Sequence, residues 1–176
     1  MSASNSSGKF EQDLLPHLNS AYNLARWLTR NEQDAQDIVQ EAYLRAFSAY
    51  RGFRTGNPRP WLMKIVRNVF YTSLKKNSLH VFVDFDNKFF ASAQRSMNPE
   101  QRLIEESNGL LIQKALGMLS TRSREFLLLR EMVGLSYKEI SNITNVPIGT
   151  VMSTLSRARA RIRQFTAAQS NEQGSR

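Results

Sequence analysis

Cysteine is absent from this chain. Its absence excludes disulfides, thiolate metal sites and a thiol nucleophile. Histidine is nearly absent: His17 and His80 stand alone, without a ligand-spaced companion. Neither a metal centre nor acid–base or nucleophilic catalysis therefore has a constellation to build on. A phosphate-binding glycine loop is missing too. No apolar run approaches the roughly 18–20 residues of a membrane span. The polar start, MSASNSSGKF, lacks the apolar segment of a signal peptide. The expectation is a cytoplasmic protein with no membrane insertion, no cofactor, no small-molecule substrate and no catalysis of its own.

Acidic residues are missing in long stretches. None occurs from Ala42 to Val83, nor between Ile140 and Ser170. Over the whole chain, 24 Lys and Arg face 15 Asp and Glu, a formal net charge of +9. A polyanionic partner follows, nucleic acid ahead of a membrane surface. With 176 residues there is room for two small helical domains or one larger one.

The most informative basic stretch is LSYKEISNITNVPIGTVMSTLSRARARIR, residues 135–163. Ser136 with Glu139 three residues on forms a capping box, so a helix should start there. Asn142 to Asn145 carries turn chemistry, and Val146-Pro147 opens a second helix. On that helix Val151, Leu155, Ala158 and Ile162 make one apolar stripe. Roughly opposite lie Thr150, Ser153, Arg157 and Ala160, with Thr154 and Arg161 beside them. Arg159 and Arg163 project from another side and suit phosphates flanking a groove. This is the pattern of a helix-turn-helix, whose second helix enters the major groove. A helical hairpin with a merely solvated basic face is the plainer alternative.

The rest of the chain is also helical in pattern. From about Lys9 to Arg30 the apolar residues Leu14, Leu18, Ala21, Leu24, Ala25 and Leu28 share a side, with Pro16 interrupting the first turn. Asn31 can cap a helix to about Tyr50 with core positions Ala35, Ile38, Val39, Ala42, Ala46 and Ala49. Its other face, Asp34, Asp37, Glu41, Leu44 and Ser48, is acidic in a basic chain. It is either solvated or a docking surface for a basic protein. After the loop Arg51 to Asn57, Pro58 and Pro60 open a third helix to about Lys76 with Leu62, Ile65, Val66 and Val69 inward. Its outer face, Lys64, Arg67, Asn68, Tyr71 and Lys75 with Trp61 at the margin, interleaves base and aromatic as single-stranded nucleic acid requires. For Trp61 a place in the core competes with base stacking. Phe47, Phe53 and Phe70 are expected in the core.

Residues 77–97 break the helical pattern and read as a linker, too apolar to be freely solvated. Asn98-Pro99 then opens a helix to about Met118, and Ser120 caps another to about Val133, ended by Gly134. The expectation is an all-α chain of two small helical domains, 8–76 and 98–166, joined by a flexible linker, with the helix-turn-helix in the second. Residues Met1 to Ser7 and Ala167 to Arg176 are expected to be disordered.

Four blocks in this order, DAQDIVQEAYLRAF (34–47), PWLMKIVRNVFYTSLKK (60–76), LSTRSREFLLLREMVGLSYKEIS (119–141) and PIGTVMSTLSRARARIR (147–163), resemble the extracytoplasmic-function (ECF) group of bacterial sigma factors. The resemblance implies a subunit that binds core RNA polymerase, recognises the −35 and −10 promoter elements and promotes strand opening. It implies that Asp34, Asp37, Gln40, Glu41 and Leu44 contact the β′ coiled coil. It places Arg54, Gly56, Asn57, Trp61, Arg67 and Asn68 at the opened −10 element, and Lys64 and Tyr71 share that outer face. Thr150, Ser153, Ser156 and Arg157 match −35 recognition positions, and Arg159, Arg161 and Arg163 match phosphate contacts. An anti-sigma protein is implied as a further partner. The chain departs from many members at Met152 and Thr154, where basic residues are common. A free-standing helix-turn-helix regulator would explain 136–163, but neither the acidic face nor the second basic region.

Overall fold

The computed structural model describes residues 2–53, 56–77 and 109–173, and among these every regular element is helical. The first cluster holds α1 (Ser2–Leu14), α2 (Leu18–Thr29), α3 (Glu32–Ala49) and α4 (Pro58–Asn77). The second holds α5 (109–117), α6 (Thr121–Leu127), α7 (Tyr137–Thr144) and α8 (Ile148–Gln173).

Local chemistry sets the boundaries. Pro16 sits in a single 3₁₀ turn, Leu15–His17, that separates α1 from α2, because a proline lacks the N–H an uninterrupted helix needs. Arg30 ends α2 in the left-handed conformation. The Asn31 side chain then accepts the Asp34 N–H and starts α3. Ser120 caps α6 through the Ser123 N–H. The last turn after α6, Leu128–Met132, widens to π geometry before Gly134, at φ 78°, turns the chain as only glycine does without strain.

Chain ends and faces depart from expectation in instructive places. Both termini, expected to be disordered, continue as helix: α1 begins at Ser2 and α8 runs to Gln173. Leu18 and Ala49, expected in the core, are exposed. Phe47 is 55% exposed, although its ring meets Phe10 edge-on at 5.1 Å. Ile65 is only half-buried, and its inward place beside Leu62, Val66 and Val69 is taken by Met63. The linker beyond Asn77, His80 and the helix start at Asn98-Pro99 lie outside the described residues.

The two clusters pack on each other, α4 against α7 and α2 against the wide turn after α6. One continuous apolar core therefore runs from Leu24, Ile38 and Leu62 to Phe126, Ile140 and Leu155. The elbow between α5 and α6 is closed by Arg124, whose guanidinium donates to the Leu116 and Leu119 carbonyls at 3.0 and 3.2 Å. It satisfies acceptors that a helix C-terminus leaves open. Burial, and then the charge of Arg30, lower the Arg124 pKa to about 10.

Candidate nucleic-acid interface

The helix-turn-helix is built from both ends. The Ser136 hydroxyl accepts the Glu139 N–H at 3.2 Å, and the Glu139 carboxylate accepts the Ser136 N–H at 2.7 Å, so the capping box is complete. The helix persists to Thr144, further than the turn residues suggest, and Asn145 makes the turn alone at φ 55°. Asparagine tolerates this left-handed conformation better than most residues. The Ser141 hydroxyl donates to the Val146 carbonyl at 2.6 Å, tying the turn to α7. Ile140 and Ile143 of α7 meet Val151, Leu155 and Ala158 of α8 in the core, which holds α8 with one face outward.

That outward face carries Ser153, Ser156, Arg157, Arg161 and Arg163, all exposed. Thr150 is half-buried and Thr154 is buried, so Thr154 does not share the outer face as its helical position suggested. Arg159 has a partner within the chain. It donates to Glu131 at 2.6 Å from Nη2 and at 3.0 Å from Nε, and reaches the Tyr137 hydroxyl at 3.4 Å. Arg130 lies over the Tyr137 ring at 4.9 Å. Arg159 thus braces α8 against the wide turn after α6 and the start of α7, a role its spacing alone did not reveal.

On α4, Lys64 and Asn68 are exposed, while Trp61 is half-buried. Trp61 lies 4.8 Å from the Phe53 ring and 6.5 Å from Tyr50. The competing roles for Trp61 meet here: one side is packed, the other open. The Asn57 side-chain Oδ1 accepts the Arg59 N–H at 3.1 Å and so opens α4. Gly56 adopts φ 132°, a conformation that strains any other residue. Arg54 falls outside the described residues.

Arg67 and Tyr71 face the second cluster. The Arg67 Nε donates to Glu125 Oε1 at 2.5 Å, and the Tyr71 hydroxyl donates to Oε2 at 2.8 Å. The Arg67 guanidinium also lies 4.7 Å from the Tyr71 ring centre. Glu125 is only 1% exposed. Burial pushes its carboxyl above the ordinary 4.5, although Arg67 and Tyr71 pull the other way. The same burial, with the Glu125 charge, pushes the Tyr71 hydroxyl up to about 12. Sequence spacing could not find this site, since its partners are 58 and 54 residues apart.

On α3, Asp34, Asp37, Gln40 and Leu44 point outward, Leu44 being 59% exposed. Glu41 is half-exposed and pairs with Arg45 at 2.6 Å. Glu41, Leu44, Arg45, Ser48 and Ala49 line a shallow open concavity.

Among the described residues the chain is all-helical, with a helix-turn-helix whose second helix is free of acidic residues as far as Ser170 and with a second basic helix, α4, that has none, the pattern of a nucleic-acid-binding protein. Residues 15–79 match the model of Sigma-70 region 2, and residues 109–162 that of Sigma-70, region 4. The ECF RNA polymerase sigma factor SigE of Mycolicibacterium smegmatis is 30% identical over 156 residues, 89% of this chain and 61% of that protein. The chain thus spans about three-fifths of that relative's length. ECF sigma factor EcfG of Rhodopseudomonas palustris is 30% identical over 151 residues, covering 85% and 81% of the two chains. Among solved structures, the sigma factor RpoE of Bartonella quintana, crystallised with the anti-sigma factor NepR, superposes with a TM-score of 0.72 at 30% identity, covering 90% of this chain and 97% of that one. The chain belongs to the ECF group of RNA polymerase sigma factors.

Proposed function

We propose that the chain is a promoter-specificity subunit dividing into a −10- and polymerase-binding domain (8–76), a linker (77–97) and a −35-binding domain (98–166). The observation that carries this reading is the outward face of α8, where Ser153, Ser156, Arg157 and Arg161 stand exposed in a stretch without a single acid. Short hydroxyls and guanidinia are suited to base edges in the major groove. Arg163, further along, fits the phosphates, and Arg159 fits them once it leaves Glu131. The acidic face of α3, with Leu44 at its centre, fits the basic β′ coiled coil of core polymerase. An anti-sigma protein is the third partner, as in the Bartonella complex.

Single-residue variants on a library of −35 sequences test the reading. Arg157→Ala is expected to cost about 1–3 kcal/mol on the preferred sequence and to relax preference at one position. Arg163→Ala should weaken all sequences alike and flatten the salt dependence. An unchanged base preference in Arg157→Ala would remove α8 from the recognition role.

Strand opening needs a surface that favours unstacked bases, and exposed Asn68 beside Lys64 and half-open Trp61 supplies one. The Asn68 side chain is exposed, and the hydrogen bond from the Thr72 hydroxyl goes to its backbone carbonyl, which an alanine keeps. Asn68→Ala should therefore leave the fold and the closed promoter complex intact while lowering permanganate reactivity of −10 thymines. Equal reactivity would return Asn68 to a passive surface position. Arg67 and Tyr71 are held by Glu125 in the closed packing and join this surface only when Glu125 withdraws.

A further inference from the structure

The α8 face contains two residues that the reading above does not use. Ile148 and Met152 are 48% and 50% exposed, one helical turn apart in the first half of α8. Two large apolar side chains standing together in water are unusual on a helix whose own core stripe is complete at Val151, Leu155 and Ala158. Their surroundings say what covers them. Ser153, Ser156 and Arg157 adjoin them on the outward face, and Arg161 and Arg163 follow. That setting favours a polyanion over a basic or neutral protein. In a helix-turn-helix it is the N-terminal part of the second helix that reaches base edges. The apolar group on those edges is the thymine C5-methyl.

We propose that Ile148 and Met152 are specificity-determining residues that select thymine in the −35 duplex through its methyl group. The proposal rests on the reading of α8 as the recognition helix and adds which base it prefers. Methionine suits the role because its flexible thioether chain adapts to an irregular apolar surface. Neither residue supports the core, so their replacement leaves the fold unaltered.

The test removes the methyl from the DNA and the thioether from the protein in turn. The full chain, assembled with bacterial core polymerase, first selects its preferred −35 duplex from a randomised library. Each thymine of that duplex is then replaced by uracil, which pairs identically but lacks the methyl. At one position the wild type should bind the uracil duplex roughly fourfold more weakly, the effect of one apolar carbon left in water. Met152→Ala should bind the thymine and uracil duplexes equally, while keeping its preference at the position read by Arg157. Ile148→Ala should act likewise at a neighbouring thymine. A wild type indifferent to uracil at every position overturns the proposal and leaves the recognition reading intact, returning the apolar pair to a protein partner. Full uracil sensitivity retained in both variants also overturns it. A library that yields no enriched −35 sequence overturns the recognition reading and the proposal together.

Discussion

Replacing Asp37 and Glu41 together by lysine is expected to abolish association with core polymerase while the chain stays folded. Both residues project outward from α3, opposite the buried stripe of Ala35, Ile38, Val39, Ala42 and Ala46. Asp37 accepts only an exposed 3.3 Å hydrogen bond from Gln33. Glu41 gives up its pair with Arg45, whose two side chains are each nearly half exposed, and such an i,i+4 pair contributes only about 0.3–0.5 kcal/mol. The loss of stability should therefore be well under about 1 kcal/mol. At an interface with a basic coiled coil the same change removes two attractions and adds two repulsions, which costs several kcal/mol. Circular dichroism should superimpose on the wild type, α8 should still bind duplex, and a pull-down with core polymerase should come back empty. A double variant with wild-type affinity for the core would make the acidic face a solvated surface and favour a free-standing regulator.

The second large effect concerns the contact between the two clusters, where removing one partner costs far more than removing the other. Arg67→Met leaves the Glu125 carboxylate buried with only the Tyr71 hydroxyl. Breaking a buried pair from this side costs about 3 kcal/mol or more, and the closed arrangement should lose ground by roughly a hundredfold. Glu125→Ala removes the group that suffers most from burial, and Arg67, being part-exposed, turns to solvent at little cost. Glu125→Ala frees Tyr71, whereas only Arg67→Met should destabilise the closed form strongly. Its pH dependence follows from the direction of the Glu125 shift. The carboxyl already lies above its ordinary 4.5 through burial, and removal of Arg67 takes away the largest opposing influence. A raised carboxyl contributes stability that is fully present below its unfolded value and lost as pH rises through its folded value. The Arg67→Met chain should thus be most closed in mild acid and open progressively as pH rises above about 4.5. Glu125→Ala should lack this dependence. Because the chain has no cysteine, Gln36→Cys with Lys138→Cys places one label on each cluster, at exposed sites of α3 and α7, for distance measurement. Equal opening in both variants across the pH range would mean that Glu125 does not govern the contact.

What the sequence made legible was local. The caps at Asn31, Ser120 and Ser136 depend on residues three apart, and each forms as expected. The stripes of α3 and α8 follow helical periodicity, and most of their positions are buried. The failures are relations between elements. Ala49 and Phe47 lie on the open side of the last turn of α3, although Ala46 and Tyr50 beside them are buried, and residue type and periodicity do not tell these sides apart. Thr154 has a polar side chain at a position that tertiary packing covers, and propensity cannot sense that. Arg159 belongs to the same basic run as its neighbours, and nothing short of the fold brings Glu131 to it. The pairing of Arg67 and Tyr71 with Glu125 is the clearest case, because it exists only when two clusters distant in sequence close on each other. The site residues were identifiable by type and spacing, but which of them stand free depends on long-range packing.

On the proposed function, this chain directs core RNA polymerase to specific promoters. In vitro transcription by bacterial core polymerase, with the purified chain as sole added factor and the 5′ ends of the transcripts mapped, tests it most directly. Discrete start sites that share a common −35 and −10 sequence upstream are the expected result, and they should vanish with the Asp37→Lys, Glu41→Lys chain. Start sites no different from those of core polymerase alone, from a chain that nonetheless binds duplex DNA, would contradict it.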